Sequence, residues 1–145
     1  MSHIVSIDPG NKKCGLLLAD IKSKNVIEAG ISSLNNFSEL VSLWNEKYII
    51  NRTIIGNGTN HSYVEKQLKQ KKVLNITSVN ESGTTLRARF RYWEIWPPNY
   101  FIRWLPKQIL LPPENLDAVV ALILLEDFLK YSFTWPEKVD IKIWL

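Results

Sequence analysis

The chain has 145 residues, 46% of them hydrophobic and 22% charged, with a formal net charge of +4. That is the length of one ordinary domain with enough apolar material for a core of its own, which excludes disorder and low complexity. One cysteine, Cys14, and two histidines, His3 and His61, exclude an internal disulfide framework and leave a structural zinc site unexpected.

Residues 3–8 form a β-rich run stopped by Pro9-Gly10, and residues 14–20 and 26–32 form two more. The linkers between them are short and polar, so the chain is expected to open with a three-stranded antiparallel meander. Residues 38–48 then place Leu40, Leu43, Trp44 and Tyr48 at helical spacing. Residues 53–56 read as a short buried strand, and residues 61–72 as a polar helix with Tyr63, Val64 and Leu68 inward. Residues 73–79 are another strand, ending in Asn80-Glu81-Ser82-Gly83. Residues 84–94 fit a helix with Leu86, Phe90 and Trp93 on one side, although the Arg-Ala-Arg-Phe-Arg-Tyr alternation fits a strand equally well.

Residues 97–113 read as a Trp- and Pro-bearing loop. Residues 114–130 are the clearest helix: Pro112-Pro113 precede it, acids fill its first turn, and residues 118–125 are apolar all round, as in a buried helix. That apolar run is far short of the roughly 20 residues of a membrane span, and no basic start followed by an apolar stretch opens the chain. A cytoplasmic protein with no membrane partner is therefore expected. Residues 138–145 alternate and fit a strand or a docking arm. The expected architecture is α/β: a mixed five-stranded sheet, three antiparallel strands followed by two parallel ones, with helices on both faces. It is expected as a single domain over residues 1–145 with a Trp/Pro-rich insertion at about 93–113.

The positive charge is local. Between residues 82 and 113 stand Arg87, Arg89, Arg91, Arg103 and Lys107 against one acid, Glu94, interleaved with Phe90, Tyr92, Trp93, Trp96, Tyr100, Phe101 and Trp104. Arginine beside aromatics suits phosphates and stacked bases, and it equally suits a protein–protein hot spot. A second cluster, Lys66, Lys69, Lys71 and Lys72, fits either a polyanion or a solvated helix face.

Three acids stand in special positions. Asp8 ends the first strand, Glu81 follows the strand that ends at Val79, and Asp117 lies in the first turn of the buried helix, three residues after Glu114 on the same face. Singly, each is an ordinary turn, loop or helix-dipole residue. Together at one sheet edge they would repel one another unless a cation neutralised them, and an all-oxygen set suits Mg²⁺ or Mn²⁺.

In order, the segments resemble the RuvC-type and YqgF-type nucleases. The opening, Ile4-Val5-Ser6-Ile7-Asp8-Pro9-Gly10 with Gly15 as the next strand begins, is similar to theirs. So are Ile54-Ile55-Gly56-Asn57-Gly58-Thr59, Val79-Asn80-Glu81-Ser82-Gly83-Thr84-Thr85 with Ala88, and the final stretch from Leu116-Asp117-Ala118 to Glu126-Asp127. The resemblance covers most of residues 3–130. It departs at Asn80-Glu81-Ser82, where the YqgF-type loop reads Asp-Glu-Arg, and in the Trp/Pro segment, which is outside the usual pattern.

The resemblance implies a ribonuclease H-like fold and a two-metal endonuclease. Asp8, Glu81 and Asp117 would be the catalytic and metal-binding acids, and Glu114 a further metal ligand. Lys12, Lys13, Thr84, Thr85, Arg87, Arg89 and Arg91 are the expected nucleic-acid contacts. The implied partner is branched DNA, as for a Holliday-junction resolvase, or structured RNA such as a ribosomal precursor, with a possible homodimer. A non-catalytic binding module on the same fold is the rival. An actin-like or sugar-kinase ATPase would need two such domains, more than 145 residues supply.

Overall fold

The computed structural model describes residues 2–98 and 116–144. Three strands, β1 (His3–Pro9), β2 (Lys13–Asp20) and β3 (Asn25–Ser33), form the antiparallel meander. They are followed by α1 (Phe37–Lys47), β4 (Ile50–Gly56), α2 (His61–Gln70), β5 (Ile76–Val79), α3 (Thr84–Ile95), α4 (Leu116–Leu129) and β6 (Ile141–Trp144). The sheet order is β5-β4-β1-β2-β3-β6. β4 runs parallel to β1, and β5 parallel to β4.

The sheet has one strand more than the five expected. The alternating tail supplies it, with β6 lying parallel on β3. A strand-sized tail can be read locally, but its partner lies more than a hundred residues upstream. The tail is also tied by side chains. Glu28 accepts from Trp44 Nε1 at 3.1 Å and from Lys142 Nζ at 2.9 Å, and Trp144 meets Trp44 edge-on with ring centroids 6.0 Å apart.

Helices cover both faces, so the central strands are buried on both sides and their side chains sort by the two-residue pleat. Ile4, Leu17, Ala19 and Ile54 face the layer made by α3 and α4. Val5, Ile7, Leu16, Leu18 and Ile55 face the layer made by α1 and α2. On β1, Ile4, Ser6 and Asp8 share the first of these faces. Ser6, fully buried, donates from Oγ to the Ala121 carbonyl at 2.7 Å and pins α4 to the strand.

Three helix faces differ from the expected ones. In α1 the buried stripe is Phe37, Val41 and Trp44, and Leu43 is exposed. In α2 Val64 and Leu68 are buried as expected, but Tyr63 lies outside. The 84–94 segment is a helix, and its packing stripe is Ala88, Tyr92 and Ile95 rather than Leu86, Phe90 and Trp93. Leu86 is exposed. The stripe that packs carries arginines beside it, and those arginines find acids on α4. Trp93, Glu94 and Ile95, the start of the expected insertion, belong to this helix. Residues 99–113 of that insertion lie outside the described residues. Among the described residues no helix is long and apolar enough to cross a membrane.

Candidate active site

The parallel strands β1, β4 and β5 all point their C-terminal ends at one edge of the sheet, so the loops that follow them meet there. Asp8 is the penultimate residue of β1. Glu81 sits in the loop after β5, and Asp117 is the second residue of α4. Gly15, directly opposite Asp8 on β2, explains why α4 can start so close. A Cβ at Gly15 would strike the backbone carbonyl of Asp117, so only glycine lets the helix start lie against the strand pair. The small residues Ala118 and Ala121 continue the close approach.

Glu81 is held from the other side. Its backbone N–H donates to Asn57 Oδ1 at 3.3 Å, and its carbonyl accepts from Thr84 Oγ at 2.7 Å. Its carboxylate rests on Gly56 and Gly58; a Cβ at Gly56 would come within 2.6 Å of Oε1, and one at Gly58 closer still. Asn60 donates from Nδ2 to the Gly10 carbonyl at 2.7 Å and to the Asn11 carbonyl at 3.3 Å. The loop between β4 and α2 therefore ties the turn after Asp8 to the loop that carries Glu81.

The electrostatics follow from this convergence. Burial, then the Glu81 charge, then the Asp117 charge push the Asp8 carboxyl up to about 8. The buried Cys14 thiol is pushed up to about 12 by burial, then by Asp8 and Asp117, so it stays protonated. Glu81 Oε1 is buried with no hydrogen-bond partner. Such a set relieves its repulsion by holding a proton or a cation. Among the described residues, no three His, Cys, Asp or Glu side chains are drawn together tightly enough to hold an ion. Glu114 lies outside the described residues.

The expected nucleic-acid contacts divide into two groups. Lys12 and Lys13 are exposed on the turn beside Asp8, Thr85 is exposed on the first turn of α3, and Arg89 is half-exposed with no ion pair among the described residues. Thr84, Arg87 and Arg91 work within the fold instead. Thr84 is buried and its hydroxyl caps the Glu81 carbonyl. Arg87 makes two 2.6 Å bonds to Asp127. Arg91 bonds both oxygens of Glu126 at 3.0 and 2.9 Å and also donates to the Phe133 carbonyl at 2.8 Å. Part of the aromatic run is likewise internal: Tyr92 and Trp96 lie 4.9 Å apart, and Trp96 meets Trp135 at 5.1 Å.

Sequence reasoning missed the roles of Asn57 and Asn60, the Arg–acid pairs, and the place of Cys14 behind the acids. For the two asparagines the only signal was their position beside the glycines of one loop.

No family model matches the chain, and no curated protein matches it significantly. Among solved structures, Thermus thermophilus RuvC aligns with a TM-score of 0.52 at 11% identity, over 88% of this chain and 94% of that one. T. thermophilus RuvC in complex with a Holliday junction substrate aligns at 0.51 and 11% identity, over 90% and 95%. The likeness at that identity is one of fold, and it spans nearly the whole of both chains. The fold is ribonuclease H-like, the class the sequence resemblance implied.

Proposed function

We propose that this protein is a metal-dependent endonuclease that hydrolyses a phosphodiester bond in structured nucleic acid, with a four-way DNA junction as first candidate. The observation that carries the reading is the meeting of Asp8, Glu81 and Asp117, from three separate elements, at the C-terminal edge of the sheet. Fold alone would not carry it, since one fold hosts many functions.

By its chemistry, though not by its present spacing, the donor set suits a hard divalent cation: the acids are all oxygen ligands, their charges oppose one another, and Glu81 Oε1 is buried without a partner, so binding would have to draw the three carboxylates closer together. Asp8, Glu81 and Asp117 would hold Mg²⁺ or Mn²⁺, with Glu114 as a further ligand. Bound there, such ions supply the activation of a water and the stabilisation of the leaving oxygen. The chain's own residues do the rest. The turn tied by Asn60 sets Asp8 against the Glu81 loop. Lys12, Lys13, Thr85 and Arg89 receive the phosphates that flank the cut.

The test is a cleavage assay with Mg²⁺ on a four-way junction, a fork, a plain duplex and a folded RNA, with Asp8→Asn as control. Preferential cutting of the junction, lost in Asp8→Asn, supports the reading. Preferential cutting of the RNA would replace the junction by a ribosomal-precursor type of substrate. Binding without cutting would point to a non-catalytic module.

A further inference from the structure

An open groove of about 630 Å³ adjoins the acid edge on the α4 side of β5. Its upper wall is Ser78, Asn80 and Ser82, and its lower wall is Leu124, Phe128 and Lys130 of the second half of α4 and its end. Asn80 and Ser82 flank Glu81 in the chain, and Leu124 packs against the same Gly56 on which the Glu81 carboxylate rests. The groove therefore starts where the acid cluster stops. Nothing in the nuclease chemistry uses it.

We propose that this groove takes an unpaired nucleobase of the strand whose phosphate lies at Asp8, Glu81 and Asp117. The inference rests on the nuclease reading and deepens it. Its size is that of a small-molecule site. Phe128 supplies the aromatic plane on which any base can stack. The Arg52 guanidinium stands over the Phe128 ring, 5.8 Å from its centroid, and is itself bonded to Thr77 Oγ1 at 2.6 Å, which places a cation beside the ring.

Ser78, Asn80 and Ser82 supply exposed hydroxyl and amide groups for the polar edge of a base. Asn80 Oδ1 accepts from the Ser82 N–H at 3.0 Å, which leaves its Nδ2 as a donor without a partner among the described residues. The charge also suits a base with its phosphate outside. Asp127, which lines the groove, is bound by Arg87 through both oxygens, and Lys130 stands exposed at the far end. A paired base in a duplex cannot reach such a groove, so the site selects junctions, forks and loops over plain duplex.

The experiment uses the full chain carrying Asp8→Asn, so that nothing is cut, and a four-way junction with 2-aminopurine placed singly at each nucleotide around the crossover. Binding should change the fluorescence at one or two positions and leave a uniform duplex control unaltered. Adding Phe128→Leu, which keeps apolar volume but removes the ring, should abolish that change. It should weaken junction affinity by about fivefold, the low end of a lost base–aromatic stack, without altering the salt slope. Asn80→Ala serves as a second variant, away from the core, and should reduce the change if Phe128→Leu fails to fold. Junction binding with no fluorescence change, or a change that survives both variants, overturns this inference and leaves the nuclease reading standing. Failure to bind any nucleic acid overturns both.

Discussion

The helix α4 carries acids at both ends, and the two ends have opposite fates. At its C-terminal half Glu126 and Asp127 are each held through both oxygens, by Arg91 and Arg87 of α3. The Asp127 carboxyl lies below its usual range because Arg87 hydrogen-bonds to it. At its N-terminus Asp117 meets no cation among the described residues and instead faces Asp8 beside Glu81, and the Asp8 carboxyl is driven the other way. The fold neutralises one acidic pair thoroughly and leaves another set opposed, and on the proposed reading the first are structural acids and the second chemical ones. Perturbed carboxylates in an unneutralised cluster mark functional sites.

The sharpest way to break that comparison is to remove charge at each end. Asp8→Asn or Asp117→Asn should cut the cleavage rate by more than the roughly 10–100-fold that an outer-shell partner of a metal is worth, while both variants stay folded. Glu114→Gln should lose less and mainly raise the Mg²⁺ needed. Glu126→Gln should leave the Mg²⁺ titration of cleavage unmoved. Equal losses at Asp117 and Glu126 would erase the distinction.

Stability against pH separates the ends next. Between about pH 4, where an unfolded Asp ionises, and pH 8 the folded chain keeps a proton on Asp8 that the unfolded chain has released. Raising the pH through that window therefore removes stability, at up to about 1.4 kcal/mol per unit and on the order of 5 kcal/mol in all, and the loss levels off above pH 8. Melting curves in chelator should show this decline, and Asp8→Asn should flatten it. At pH 8, added Mg²⁺ should raise the wild-type melting temperature and leave that of Asp8→Asn nearly unchanged. A wild-type curve that rises from pH 5 to 8 would contradict the cluster.

At the neutralised end the effect is on the fold. Arg91 and Glu126 are 17% and 11% exposed, so Arg91→Ala leaves a nearly buried carboxylate without its cation and with only the Phe133 N–H, at 2.7 Å, to bind it. A loss of about 3 kcal/mol is expected, read as a melting temperature lower by roughly 10 °C. The double variant Arg91→Met, Glu126→Leu should regain most of it, because the uncompensated charge is then gone.

How much of this was legible depended on distance along the chain. The pleat is local, so the placement of Ile4, Ser6 and Asp8 on one strand face, and of Asp8 at its end, could be read directly. The acid-bearing loops could be ordered along the chain, and the parallel strands then brought them to one edge. The Arg87–Asp127 and Arg91–Glu126 pairs span 40 and 35 residues, and no periodicity links their members. The α3 face was misread because its arginines and aromatics satisfy both a strand and a helix period. Only the presence of α4 decides that Ala88, not Leu86, is inside. The tail strand was visible as alternation, but its place on β3 was set by Glu28 and Trp44, far from it in sequence.

The smallest expected effect concerns Arg87, because sequence alone marks it as a phosphate contact. Its pair with Asp127 is half-exposed on both sides, so Arg87→Ala should cost under about 1 kcal/mol of stability. With its guanidinium engaged by both Asp127 oxygens, it should also leave the salt dependence of junction binding unchanged. Arg89, two residues on, has no such pair among the described residues, and Arg89→Ala should lower the slope of log affinity against log salt by about one unit. Lys12→Ala, on the turn beside Asp8, should act in the same direction. A drop of one unit in Arg87→Ala and none in Arg89→Ala would mean that nucleic acid pulls Arg87 off Asp127. The C-terminal end of α4 would then be an interface as well as a staple.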